Sequence, residues 1–263
     1  MHRQYVPGPW GQIHLHVATP TATPTGRPLL CLHLSPGSGR MYRPFLEEMG
    51  TDRVAYALDT PGYGGSDPPP TPTNLQAYAA ALATVLDSLE LDQVDLFGAH
   101  TGSRLAVEIA HLCGERVNRL ILFGAAVYTA EEREKQKIAF GRPKPVQTDG
   151  SHLASRWTGW AAWRWPGVTD EMIGRYAADS VQDFERHWWA HQAVFEHDMA
   201  ARLGSLDHEV LVLCAKDDIE GPTRRAKSVI RHGQYIERLD WGHWFLEVDP
   251  VGAADMARGF LDT

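Results

Sequence analysis

The sequence predicts an α/β protein: a mostly parallel sheet with helices on both faces, interrupted by an inserted helical segment. Two observations carry this. Short apolar runs alternate with Ala/Leu-rich helical patterns towards both ends of the chain, the rhythm of strand–helix–strand units. Residues from about 128 to 205 break that rhythm, being helical in pattern, polar and rich in tryptophan. A length of 263 residues suits one core with an insertion better than two ordinary domains. The expected division is a core of 1–127 and 206–263 and a helical cap of 128–205, set over the carboxyl edge of the sheet where such folds bind ligands.

Taken in order, "GQIHLHVA" (11–18) alternates so that Ile13, Leu15 and Val17 share one face of an opening strand. "PTATPTGRP" reads as a Pro/Thr turn. "LLCLHL" and "VAYALD" are short apolar runs of the kind found in strands covered on both faces. "NLQAYAAALATVLDSLEL" is a long helix with Asn74 as its N-cap. Strands "VDLFG" and "RLILFGA" enclose the helix "SRLAVEIAHLC". The last third continues with strand "EVLVLCA", helix "GPTRRAKSVIRH", strand "QYIERLD" and helix "PVGAADMARGFLD".

Composition narrows the class. Hydrophobic residues at 43% and charged residues at 22% are ordinary globular values. A net charge of -8, without any block of like charge, argues against nucleic-acid or anionic-membrane partners. The N-terminal stretch has no apolar signal core, and no run approaches the ~18 apolar residues of a membrane span. A soluble cytoplasmic protein is expected, with Cys31, Cys113 and Cys214 as reduced thiols. Its partner is a small-molecule substrate, and a homodimer is left open.

Several segments bear chemistry. "LLCLHLSPGSGRMYRPF", "ALDTPGYGGSDPP", "VDLFGAHTGSRLA", "LVLCAKDDIEGP" and "LDWGHWFLEVDP" occur in this order. Together they resemble the α/β-hydrolase family: its oxyanion loop, its Asp-x-Pro-Gly-x-Gly-x-Ser-Asp loop, its strand–elbow–helix, and the segments of its acid and histidine. The third departs from the family's Gly-x-Ser-x-Gly, because Gly98 and Gly102 bracket His100 rather than a serine. An elbow is a sharp, strained strand-to-helix turn that needs small residues two positions either side of its apex, and His100 meets that condition. A second register puts Thr101 at the apex between Ala99 and Ser103, at the expense of the glycine pair. Ser103 falls inside the helix.

The resemblance implies a catalytic set of His100, Asp218 and His243, with Asp217 as the neighbouring contender for the acid. It implies an oxyanion hole from the backbone N–H groups of Ser35 and Thr101, in a loop where Leu34 replaces the usual glycine. Trp157, Trp160, Trp188 and Trp244 are expected to line an apolar substrate cleft. No cofactor is implied. His100, His243 and Asp218 can also be read as two histidines and a carboxylate facing a metal; one histidine would then forgo its aspartate, so the site is read without a metal. His187 and His191, four apart in "HWWAH", have ligand spacing but no third ligand, and read as surface or cap-lining residues. Arg43 and Arg104 read as salt-bridged or solvated, and "EEREKQK" as a solvated helix face.

The expected activity is hydrolysis of an ester or related acyl bond in a small apolar or aromatic carbonyl compound, through an atypical His-Asp-His set. Two alternatives stand beside it: lyase, cyclase or aldol-type acid/base chemistry by His100 and His243, and a ligand-binding protein without turnover.

Overall fold

The computed structural model describes residues 1–263. Eight strands form one sheet: β1 (His2–Gly8), β2 (Gly11–Ala18), β3 (Leu29–Leu32), β4 (Ala55–Leu58), β5 (Val94–Ala99), β6 (Val117–Phe123), β7 (Glu209–Lys216) and β8 (Gly233–Gly242). Their order is β1-β2-β4-β3-β5-β6-β7-β8, antiparallel at β1–β2 and β2–β4 and parallel from β4 to β8. Around it lie α1 (Arg43–Met49), α2 (Leu75–Ser88), α3 (Thr101–Cys113), α4 (Ala130–Phe140), α5 (Ser151–Ala161), α6 (Asp170–Asp179), α7 (Trp189–Glu196), α8 (Met199–Gly204), α9 (Glu220–Arg224), α10 (Phe245–Val248) and α11 (Pro250–Leu261).

The central strands are buried on both faces because their neighbouring residues serve two cores. Leu96, Leu120 and Leu122 join α2 and α3 on one side, while Phe97, Ile121 and Phe123 join α1 and α11 on the other. Asn74 caps α2 as expected, its Oδ1 accepting from Ala77 N–H at 2.8 Å. Five helices, α4 to α8, lie between β6 and β7. Tyr63 Oη donates to the His187 carbonyl at 2.8 Å, and Ser38 Oγ donates to Asp179 Oδ2 at 2.6 Å, tying those helices to loops that follow β3 and β4.

Three elements differ from the sequence reading. β1 was not expected, because its polar, proline-bearing sequence is that of an edge strand, which pairs with β2 and buries only Val6 in the core. β2 does not alternate in burial: His14 and His16 are covered as well as Ile13, Leu15 and Val17. The helix expected over 221–232 closes after one α turn and a 3₁₀ turn at Arg225–Ser228. The three cysteines are free, and no helix is long and apolar enough to cross a membrane.

The glycines of the β5–α3 junction are sites of close approach. A Cβ on Gly102 would stand 1.9 Å from the Leu32 carbonyl oxygen, and one on Gly98 would stand 2.3 Å from the Gly102 carbonyl oxygen. Gly102→Ala is therefore expected to destabilise the protein by about 1–3 kcal/mol. Gly159→Ala, in α5 with open space around it, is expected to be neutral or to stabilise by up to about 1 kcal/mol. Thermal melting of the two variants reads the contrast.

Candidate active site

The sharp corner between β5 and α3 is occupied by His100, at φ 51° and ψ -105°. A side chain in that conformation costs on the order of 1–3 kcal/mol, and the surroundings hold it there. His100 N–H donates to the Phe123 carbonyl at 2.7 Å, extending the β5–β6 ladder to the apex. Ser103 Oγ lies 2.8 Å from the Gly98 carbonyl and 2.7 Å from that of Phe123, which makes it a brace. Thr101 is buried in the first turn of α3 and is not the corner residue.

The His100 ring lies against Phe123, with centroids 5.0 Å apart, and over Gly124. A Cβ on Gly124 would stand 2.7 Å from His100 Cδ2, so this glycine makes room for the imidazole. Nε2 of His100 is 3.0 Å from Asp217 Oδ2. Asp217 is buried at the end of β7, and its Oδ1 accepts from Ile219 N–H at 2.9 Å. His243, in the segment after β8, places Nε2 3.0 Å from Asp218 Oδ1. The two imidazoles stand 5.1 Å apart between centroids, at an interplanar angle of 39°.

The two aspartates thus divide between the two histidines. The sequence reading made Asp218 the acid and Asp217 its contender; the structure uses both, because consecutive residues at a strand end project in different directions. The objection to a metal, that one histidine would lack an aspartate, therefore falls away. One ligand atom from each of His100, Asp217, Asp218 and His243 lies within 4.8 Å of every other.

Electrostatics follow from the pairing. Burial alone would make His100 less basic, but the hydrogen bond and charge of Asp217, together with the charge of Asp218, outweigh it and raise its pKa. Partial desolvation would raise Asp218, half of whose side chain is exposed, yet His243 and His100 bring it down to about 2, so it is ionised at neutral pH. Nδ1 of His243 is buried without a partner. Trp163 and Trp160 pack edge-on against that ring at 5.3 and 6.2 Å.

Ser35 and Thr101 line the same cavity as His100 and Asp218. The Ser35 loop is anchored from behind by His33. Thr60 N–H donates to its Nε2 at 2.9 Å, which leaves the ring proton on Nδ1 to donate to the Leu34 carbonyl at 2.6 Å. Asp59, 1% exposed, accepts from Gly39 N–H and Gly65 N–H and pairs with His14 Nδ1 at 2.8 Å.

The cavity, of ≈100 Å³, is walled by Tyr128, Phe140, His191, Val194 and Phe195 from the inserted segment, with Arg104 beneath. None of the four tryptophans expected to bind substrate lines it. Trp160 donates to Ser180 Oγ, Trp188 to the Glu185 carbonyl and Trp244 to the Trp163 carbonyl, while Trp157 is 39% exposed. Indole N–H groups need acceptors as they are covered, and all three find one within the protein, fully buried in the case of Trp244. Arg104 also departs from its reading. It is buried and forms none of the ion pairs; it donates to the Ala126 carbonyl at 2.6 Å and contacts His197 Nδ1 at 3.2 Å. His191 lines the cavity, and burial with the neighbouring His187 lowers its pKa to about 4. Helix α4, which carries "EEREKQK", buries no residue. A larger concavity of ≈630 Å³, lined by Arg40, Arg43, Arg175 and other polar groups, does not reach His100.

The matching of known proteins agrees with this frame. Residues 29–256 match the family described as "Alpha/beta hydrolase family". The chain is a member of the alpha/beta hydrolase family. It is 28% identical over 254 residues to a 2-hydroxy-6-oxo-2,4-heptadienoate hydrolase of Pseudomonas putida, spanning 90% of this chain and 89% of that enzyme. To a poly(3-hydroxyalkanoate) depolymerase of Ectopseudomonas oleovorans it is 32% identical over 133 residues, 48% of this chain and 46% of that one. Its fold superposes on an enol-lactonase from Burkholderia xenovorans LB400, with a TM-score of 0.80 at 15% identity over 99% of this chain and 100% of that one. A meta-cleavage product hydrolase from Pseudomonas fluorescens IP01 gives 0.79 at 18% identity, over 98% and 97% of the two chains. This family member is an enzyme, and its relatives include hydrolases.

Burial opposes the charge of Asp59, but the hydrogen bonds of His14, Gly65 and Gly39 hold its carboxyl below the usual range. A depressed folded pKa means stability that is present above the unfolded pKa and lost as pH falls towards the folded one. Asp59→Asn is expected to lower stability at pH 7 and to flatten the loss as pH falls below about 4. Urea unfolding at a series of pH values reads both effects.

Proposed function

We propose that this enzyme hydrolyses an ester or related acyl bond in a small, largely apolar or aromatic carbonyl compound, with His100 as the elbow nucleophile. The observation that carries the reading is the facing pair of imidazoles, each backed by its own carboxylate, of which His100 and Asp218 line one cavity with Ser35 and Thr101. With Asp217 accepting from Nε2–H, the lone pair of His100 sits on Nδ1, and a neutral imidazole needs no base to attack. Ionised Asp218 stabilises His243 as imidazolium.

The steps balance as follows. Nδ1 of His100 bonds to the carbonyl carbon, and the oxyanion is held by the N–H groups of Ser35 and Thr101. The leaving oxygen departs with a proton from His243, giving an acyl-imidazolium on His100. Neutral His243 then removes a proton from water, and hydroxide attacks the acyl carbon. The acid leaves, His100 is neutral again and His243 is recharged. The inserted helices, acting as a cap, supply aromatic walls that suit a small apolar acyl group.

A second reading has a specific observation in its favour. The carboxylates raise the basicity of His100, which suits it to proton abstraction in lyase or aldol-type chemistry, with an enolate in the oxyanion hole.

Short activated esters and β-diketone-type substrates assayed on the wild type, His100→Ala and His100→Ser separate the two. The hydrolytic reading expects a loss of at least ~10²-fold in kcat for His100→Ala, and an acyl adduct trapped on His100 of the wild type. An adduct on another residue, or esterase activity that only His100→Ser acquires, overturns it.

A further inference from the structure

The four side chains at the corner do more than pair two by two. We propose that His100, Asp217, Asp218 and His243 together bind one divalent transition-metal ion of the zinc or cobalt class, and that its binding shuts the proton relay off.

Geometry is the first argument. The ligand atoms come from three separate segments: the β5–α3 corner, the end of β7 and the segment after β8. Yet all lie within 4.8 Å of one another. A tetrahedral site with bonds of about 2.0–2.1 Å separates its ligand atoms by roughly 3.4 Å, so the widest pair needs to close by at most about 1.4 Å. The two contacts of 3.0 Å are already closer than that spacing.

The donor set is the second. Two imidazole nitrogens and two carboxylate oxygens suit borderline metals such as Zn²⁺ and Co²⁺, whereas Ca²⁺ and Mg²⁺ take oxygen. Two carboxylates neutralise the ion, which allows it to sit among the buried groups Asp217 and His243. Asp218, with 49% of its side chain exposed, opens the cluster towards solvent for entry. The one other grouping of this kind, His14, His16 and Asp59, is already committed, because both oxygens of Asp59 are taken by Gly39, Gly65 and His14.

The consequence for the relay is stoichiometric. A neutral imidazole has one lone pair. A metal that takes it at Nε2 places the ring proton on Nδ1, so His100 has no lone pair to attack with and His243 none to accept a proton. The switching half of the proposal rests on the relay proposed above; metal binding does not.

The test starts from protein stripped by a chelator and titrated with Co²⁺. The expected result is the visible absorption of four-coordinate Co²⁺, saturating at one equivalent and displaced by Zn²⁺. Binding is expected to weaken by ~10–100-fold or more in Asp217→Asn and in His243→Gln, with the melting transition of each variant checking its fold. No saturable spectrum in the wild type, or equal binding by both folded variants, overturns the metal site and leaves the relay standing. Zn²⁺ is expected to abolish ester hydrolysis and a chelator to restore it. Activity that instead requires the bound ion overturns the switching half, and with it the relay, while the spectrum upholds the site.

Discussion

The arrangement at the carboxyl edge of the sheet depends on holding one ordinary residue, His100, at a positive φ. The strain is met by contacts that only close backbone approach permits: Gly102 against the Leu32 carbonyl, Gly98 against Gly102, and the His100 N–H on the Phe123 carbonyl. A larger residue at either glycine would push α3 away from β3 and turn the apex side chain with it. The corner thus converts packing energy into a direction for one imidazole.

That direction decides the electrostatics. The ring falls over Gly124 and meets Asp217, while the next residue, Asp218, meets His243. Two imidazoles and two carboxylates in a small volume are tolerable only because opposite charges alternate and each carboxylate is paired. The same alternation makes the cluster competent for two different cations, a proton or a metal ion, which draw on the same lone pairs.

The tryptophans illustrate how burial is apportioned around such a site. Trp160 and Trp244 pack on Tyr176, with centroids at 5.0 and 4.4 Å, and form the block behind His243 rather than the wall of the cavity. With its Nδ1 unpartnered, His243 is oriented by aromatic edges in place of a hydrogen bond. The wall of the cavity beside His100 is built from smaller rings, Tyr128, Phe140 and Phe195. They leave room at the apex, where the imidazole already occupies more space than the serine usual in this family would.

The sequence by itself determined the strand–helix alternation, the corner at His100 and the chain order of corner residue, paired aspartates and final histidine. These are local patterns: short apolar runs alternating with helical ones, and small residues at fixed offsets from an apex. Only the tertiary structure decided that Asp217 as well as Asp218 belongs to the site, since which of two adjacent carboxylates meets which imidazole depends on how β7 ends relative to a corner 117 residues away. It likewise decided that Arg104 is buried without an ionic partner and that the tryptophans support the site from behind. A side chain's spacing along the chain is set by sequence, but its counter-charge and its cavity are set by whatever distant segment packs against it.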